Sequence, residues 1–360
     1  MNLEHRIGQL LIIGLPGPQL DLMTRSLLQT IQPGGVLLNT HNIESAQQVA
    51  ELTSTIRSLI NVPPIIAVDQ EGGRVDRLKH IYTPMPSADL LRASGEAAIA
   101  GRMGEIAAEA LRTLGFNVNF APVLDIATDD GANNGLKGRY LGGNLAEVVR
   151  LGGAYLEGLQ HGGVVGVGKH FPGLGAAVID SHSQLPTIDR PREEILRCEI
   201  APYTELFSKI NARLNAVIIA HGHYPAFDGP APLPSSLSKN IATGLLREEL
   251  GFKGLTITDD LEMGAITEAR DLSEAAVMAI EAGIDMVMVA GSPERATAAW
   301  EAMVKAAEEG RITKTHISRS FDHLARIKSM LSPPHAYSDQ AVTRLRERIG
   351  ELNLILQHSK

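Results

Sequence analysis

Residues 163–170 read GVVGVGKH and residues 215–221 read NAVIIAH. Each is a short apolar run that ends on ionisable side chains, Lys169 and His170 in the first and His221 in the second. PPIIAVD at 63–69 repeats the pattern with Asp69, and DMVMVA at 285–290 repeats the apolar part alone. Apolar residues at successive rather than alternate positions mark strands covered on both faces, as in parallel sheets. Working outward from these runs, about eight strands are predicted: Gln9–Leu15, Gly35–Asn39, Pro64–Asp69, Val118–Asp125, Val164–His170, Ala216–His221, Leu255–Asp259 and Asp285–Ala290.

Stretches of helical spacing lie between them, at Glu96–Leu114, Leu145–His161, Arg192–Leu214, Ile241–Glu249, Ser273–Ala282 and Glu294–Glu309. Asn144, three residues before Glu147, suits a helix N-cap, and Gly115, Gly162 and Gly251 stand where a helix end turns left-handed. Strand–helix alternation through eight strands, with no break in composition, predicts an α/β fold. The expected architecture is a single TIM-type (β/α)8 barrel over residues 1–331. SPPHAYSD at 332–339 then interrupts the last long helical stretch. The charged amphipathic segment Gln340–Gln357 is expected to form an appended C-terminal helix, so that 332–360 is a helical tail packed on the barrel.

The composition narrows the function. A chain of 360 residues with 44% apolar content can bury a large core, and its net charge of -8 argues against nucleic acid or anionic lipid as a partner. One cysteine, Cys198, provides neither a disulfide framework nor a thiolate metal cluster. The apolar run Leu10–Leu15, preceded by Glu4, His5 and Arg6, is too short for a signal-peptide core. No run reaches the ~18 apolar residues of a membrane span. A cytoplasmic protein without membrane attachment, monomeric or weakly oligomeric, is expected.

In a parallel barrel all strand C-termini open on one face, so residues that end successive strands converge. Asp69, Asp125, Lys169 with His170, His221, and Asp259 with Asp260 all take such positions. Unpaired charges there cost several kcal/mol, roughly, so a shared polar cleft is the expected reason for them. Several of these groups also suit structural tasks. Asp125 can hold a neighbouring loop through backbone N–H groups, His221 and His223 can be satisfied rim histidines, Asp260 can start a helix, and Glu71 can anchor the glycine turn of DQEGGR. GKHFPGLGAAVIDSHSQLP at 168–186 is the most informative segment. Gly168, Pro172, Gly173 and Gly175 mark a mobile loop that delivers Asp180 and His182. A carboxylate beside an imidazole fixes its tautomer and lets it give and retake a proton near neutral pH.

Five segments, VDQEGGRVDRL (68–78), NFAPVLD (119–125), KHFPGLG (169–175), DSH (180–182) and TDDLEMGAI (258–266), occur in one order. On these the chain resembles the single-domain bacterial β-N-acetylglucosaminidases of glycoside hydrolase family 3. The resemblance implies that Asp259 is the nucleophile of a retaining mechanism, that His182 is the acid/base and that Asp180 orients His182. It further implies that Asp69, Arg77, Arg139, Lys169 and His170 bind N-acetylglucosamine. The implied substrate is a small glycan with a terminal non-reducing N-acetylglucosamine, such as peptidoglycan-derived muropeptides in cell-wall recycling, with no metal and no cofactor. Leu174 departs from the family's frequent histidine, and NNGLKGRYLGG at 133–143 departs from its usual approach to the arginine. The glycine-rich loop is expected to hold His182 away from Asp259 until sugar draws it in. The rival readings are a family 3 β-glycosidase or phosphorylase of other specificity, and a metal-dependent barrel hydrolase with His170, His182, His221, His223 and Asp259 as ligands. A Schiff-base lyase using Lys169 and a noncatalytic sugar-binding barrel are also compatible with these residues.

Overall fold

The computed structural model describes residues 1–128 and 132–358. Its parallel strands are β1 (Leu11–Gly14), β2 (Gly35–Leu37), β3 (Ile65–Val68), β4 (Val118–Asn119), β5 (Val165–Gly166), β6 (Gly168–Phe171), β7 (Ala216–Ile219), β8 (Leu255–Asp260) and β9 (Met286–Val289). They form one sheet in the order β5-β4-β3-β2-β1-β9-β8-β7-β6. The two end members are halves of the single strand expected at Val164–His170. β5 pairs with β4 and β6 with β7, so this fifth strand position closes the eightfold ring. At the break the N–H of Val167 reaches the carbonyls of both Asn119 and Ala121, each at 3.0 Å. The α/β barrel expected from the alternation is therefore present, with one strand split.

The reason the runs are continuously apolar is visible strand by strand. Ile12, Ile65, Ile218 and Met288 point into the barrel, while their neighbours Ile13, Ile66, Ile219 and Val289 face the surrounding helices. Leu324 and Ile327, from the helix Lys314–Met330, join the interior cluster. Ile327 also shares a cavity with Asn215 and Gly254, which immediately precede β7 and β8. This helix therefore closes the N-terminal end of the barrel, leaving the C-terminal end for the polar residues.

Several boundaries differ from the sequence expectation. Only Val118–Asn119 of the expected fourth strand pairs regularly, since Pro122 has no N–H for the ladder. The helix expected at Arg192–Leu214 is α-helical at Arg192–Ile195, widens to a π turn at Leu196–Ile200, and resumes as Ala201–Phe207. Pro202 lacks a donor there, and a wider turn accommodates the missing bond. The left-handed residue after Leu145–His161 is Gly163, not Gly162. Gly168 belongs to β6 rather than to the loop. Helices Leu22–Ile31, Ala46–Leu59 and Ala88–Ser94, outside the expected set, complete the outer layer.

The final helix, Asp339–His358, buries Leu345, Ile349, Leu352 and Leu356 and packs on the helices Ala97–Thr113 and Ala88–Ser94. Of the tail marked out by sequence, residues 359 and 360 lie outside the described residues. Among the described residues no helix is long and apolar enough to cross a membrane.

Candidate active site

β3 delivers Asp69 and then turns through a short antiparallel hairpin, Gln70–Gly72 with Val75–Asp76. Gly72 and Gly73 have φ of 94° and 58°, which a side chain would resist. Asp76 braces the hairpin by accepting from Gln70 Nε2 at 2.8 Å and from the N–H of Met85 at 2.7 Å. The turn brings Arg74, Val75 and Arg77 to the wall of a cavity of 250 Å³. Asp69, Glu71, Arg139, Lys169, His170, His182 and Asp259 line the same cavity, with Phe120, Ile218 and Met288 as its apolar surface. Of the strand-end residues expected to share a cleft, Asp69, Lys169, His170 and Asp259 line it, whereas Asp125, His221 and Asp260 do not. Arg139, on the segment that departs from the family pattern, lines it too.

An interlocked charge network forms one side. Lys169 Nζ lies 2.6 Å from both Asp69 Oδ1 and Glu71 Oε1, and Arg139 grips Glu71 through two contacts of 2.8 Å. Burial would raise the Glu71 carboxyl, but Lys169 and Arg139 outweigh it and hold the group far below the usual carboxylate range. Lys169 is raised for the complementary reason, its burial being overcome by Asp69 and Glu71. Anchoring the glycine turn of DQEGGR was one structural task that suited Glu71. Instead it is the shared counter-ion of the two buried cations.

Asp125 is fully buried and holds the loop start as anticipated, accepting the N–H of Leu174 at 2.6 Å. It also accepts His170 Nδ1 at 2.7 Å and so fixes that ring, whose Nε2 lies 3.3 Å from Arg139 Nη2. At the end of β8 the two adjacent aspartates diverge. Burial would raise Asp259, but the imidazoles of His170 and His221 and the N–H of Asp260 bring it below its ordinary value. Asp260 is pushed up to about 7, chiefly by burial, although it accepts the N–H groups of Glu262 and Ala290. Those bonds brace β8 against the end of β9, and Asp260 does not start a helix. The short helix at Gly264–Thr267 is preceded by Met263.

His221 is fully buried, with Nε2 2.9 Å from the Asp260 carbonyl and Nδ1 2.7 Å from Ser236 Oγ. Burial lowers its pKa, and a neutral ring donating from Nε2 and accepting at Nδ1 satisfies both contacts. Both nitrogens are occupied within the protein, which takes His221 out of the ligand set that a metal-dependent hydrolase would use. His223 is buried with Nδ1 3.3 Å from the Leu233 carbonyl, but its Nε2 has no hydrogen-bond partner, so it is not the satisfied rim histidine anticipated.

The loop from Pro172 to Ser183 forms a flap. Asp180 Oδ1 accepts both the N–H of His182, at 2.9 Å, and His182 Nδ1, at 2.8 Å. Burial would raise Asp180, but these two bonds and the nearby imidazole lower it. The flap is docked against the end of β8, and His182, with 69% of its side chain exposed, lines the mouth of the cavity that holds Asp259, where the sequence suggested a withdrawn position. The docking contacts are backbone bonds from Gly264 N to His182 O at 3.0 Å and from Ala265 N to Ser181 O at 3.2 Å. A Cβ on Gly264 would stand 2.2 Å from the Ser183 carbonyl. Sequence reasoning missed this glycine, although it lies inside TDDLEMGAI; only the approach of a distant segment gives it a task.

The model of the glycosyl hydrolase family 3 N terminal domain matches residues 2–327. A β-hexosaminidase of Alkalilimnicola ehrlichii is 37% identical over 290 residues, which cover 79% of this chain and 81% of that protein. A β-hexosaminidase of Thioalkalivibrio sulfidiphilus is 36% identical over 299 residues, covering 81% of this chain and 83% of the relative. Among solved structures, a glycoside hydrolase family 3 β-N-acetylglucosaminidase from Paenibacillus superposes with a TM-score of 0.89 at 37% identity, over 98% of this chain and 69% of that one. The barrel is thus that of a glycoside hydrolase. Within that class the chain belongs to glycosyl hydrolase family 3.

Proposed function

We propose that this protein is a β-N-acetylhexosaminidase that removes terminal non-reducing N-acetylglucosamine with retention of configuration. The observation that supports it most directly is the sharing of one small cavity by Asp259, kept ionised, and by His182, held from behind by Asp180. An oxocarbenium-like transition state needs negative charge at the anomeric carbon and a proton for the departing oxygen. In this reading Asp259 attacks C1 while His182 passes its proton to the leaving oxygen, giving a covalent glycosyl-enzyme. His182 then takes a proton from water, which displaces Asp259, and two displacements restore the β configuration.

A histidine in place of the usual second carboxyl suits this cleft. As Asp259 loses its charge to the new bond, an imidazolium opposite it is attracted to the carboxylate beforehand, whereas a second carboxylate would be repelled. The network of Asp69, Lys169 and Arg139, with Arg77 and His170, supplies acceptors and donors for sugar hydroxyls and the acetamido group. Muropeptides from peptidoglycan are the natural substrate we favour, since the resemblance is to enzymes of that pathway. Phosphorolysis is the second reading, because an imidazole does not repel phosphate as a carboxylate does.

The deciding experiment compares aryl β-N-acetylglucosaminide with aryl β-glucoside, with and without phosphate, for the wild type and Asp259→Asn. Release from the acetamido substrate alone, independent of phosphate and lost in the variant, is the expected result. A fluorinated glycosyl donor should label Asp259 covalently. Labelling of another residue would overturn the assignment.

A further inference from the structure

Glu199, which the reaction above does not use, lies beneath the start of the flap. Its side chain is completely buried, and neither carboxyl oxygen has a partner in good hydrogen-bond geometry, the backbone donor beside it being the Gly175 N–H of the flap. A Cβ on Gly173 would stand 2.7 Å from Glu199 Cβ and 2.8 Å from Oε2, and a Cβ on Gly175 would stand 3.2 Å from Oε2. The carboxyl therefore lies against Gly173 and Gly175 at the start of the flap, Gly175 being packed on the Ile126 carbonyl as well. On its other sides the flap is gripped firmly. Asp125 accepts from the N–H of Leu174, and the Tyr224 hydroxyl donates to the Gly173 carbonyl.

Among the described residues, the charged and titratable groups that bear on Glu199 can be named. Asp125 follows β4, Arg190 and Glu194 come from the approach to and first turn of the adjoining helix, Tyr203 lies one turn on, and Tyr224 follows β7. The cation, Arg190 Nη1, stands 3.7 Å from Glu199 Oε1, beyond hydrogen-bond distance, and is shared with Glu194 at 3.1 Å. A buried carboxylate whose donors are too few and too poorly placed is costly, whereas a neutral carboxylic acid is better tolerated. Burial first, then the Asp125 charge, pushes Glu199 up to about 7 against the weaker pulls of Arg190 and of the Gly175 N–H.

We propose that Glu199 is a positioning residue of the flap: as a neutral acid it seats Gly173–Gly175 so that His182 stays over Asp259, and its ionisation unseats the loop. The proposal rests on the proposed function for what His182 does there, but not for the movement itself. Charge appearing under two close-packed glycines, beside Asp125, is relieved by lifting the loop and admitting water.

The test is hydrogen–deuterium exchange of residues 172–183 in the full chain between pH 6 and 8.5, corrected for intrinsic exchange, with kcat followed over the same range. In the wild type, protection should fall about tenfold with a midpoint near 7, and kcat should fall with it. Glu199→Gln, permanently neutral and of the same shape, should abolish the pH step in exchange. Arg190→Gln, at a half-buried position, should move the midpoint upward by removing the cation that favours the charged form. A pH-independent flap in the wild type would overturn the proposal. So would an unchanged step in Glu199→Gln, or an unmoved midpoint in Arg190→Gln should the first variant not fold. Because exchange does not depend on turnover, failure of Asp259 to be labelled would remove the proposed function without deciding this one.

Discussion

His182 Nδ1 lies 2.8 Å from Asp180 Oδ1, and the same oxygen accepts the backbone N–H of His182 at 2.9 Å. Ring and main chain are thereby fixed by one carboxylate two residues away. The proton on Nδ1 points to Asp180, leaving Nε2 for the substrate. The pair is also portable: wherever the flap goes, the oriented imidazole goes with it.

Asp180→Asn keeps the shape but loses the charge behind the ring. We expect kcat to fall by about 10²–10⁴-fold, with KM little changed. The loss should be greater for a natural disaccharide, whose leaving group needs a proton, than for an activated aryl glycoside. Equal losses on the two substrates would contradict a role in proton transfer.

Glu71→Gln leaves Lys169 and Arg139 buried without their shared counter-ion. Breaking such a buried pair costs on the order of 3–5 kcal/mol, far more than a surface ion pair contributes. Denaturant unfolding should show that loss, and KM should rise because Lys169 and Arg139 lose their fixed places. Unaltered stability would mean the network relaxes freely.

Gly264→Ala places a methyl group where the Ser183 carbonyl stands, 2.2 Å away. The flap must then dock farther out, so kcat should drop roughly tenfold or more while thermal stability changes little. The kinetic comparison at saturating substrate checks this, and full activity would show that the backbone latch is dispensable.

Asp285 sits below the barrel, fully buried, accepting from Arg247 at 2.6 Å, His323 at 2.9 Å and the N–H of Thr256 at 2.9 Å. Burial would raise it, but His323, Arg247 and Thr256 bring its pKa below 3.8. A depressed carboxylate adds stability that is fully present above its unfolded value, about 3.9, and is lost as pH falls through the folded value. Asp285→Asn should therefore cost roughly 3–5 kcal/mol at pH 7, with a smaller deficit as pH drops below 4. Denaturant curves at pH 7 and pH 3 supply the comparison.

The C-terminal helix separates two kinds of contact. Leu352 is completely buried, whereas Arg102 and Glu351 form a 3.1 Å bridge with both side chains largely exposed. Leu352→Ala should cost about 2–5 kcal/mol and Glu351→Ala about 0–1 kcal/mol. Comparable costs would mean that charge rather than apolar burial fastens this helix.

Much of the site was legible because a parallel barrel converts strand order into spatial convergence. Asp69, Lys169, His170 and Asp259 each follow an apolar run, so their arrival at one cleft needed only the alternation. Asp180 and His182 could be paired because they are neighbours in the chain. Glu71, Gly264 and Glu199 were not legible in their present tasks. Glu71 lies between cations from two later segments, 68 and 98 residues on, and Glu199, inside the π turn, meets flap glycines 24 and 26 residues earlier in the chain.

By itself, then, the sequence determined the repeating strand and helix units, the face on which ionisable groups gather and the local Asp180–His182 couple. All of these follow from periodicity and short chain separations. The tertiary structure alone decided that the fifth strand splits at Val167, that Glu71 neutralises Lys169 and Arg139, and that the flap docks on Gly264. Such outcomes depend on which buried polar groups from distant segments must satisfy one another. That pairing is settled by packing in three dimensions, and no local pattern encodes it.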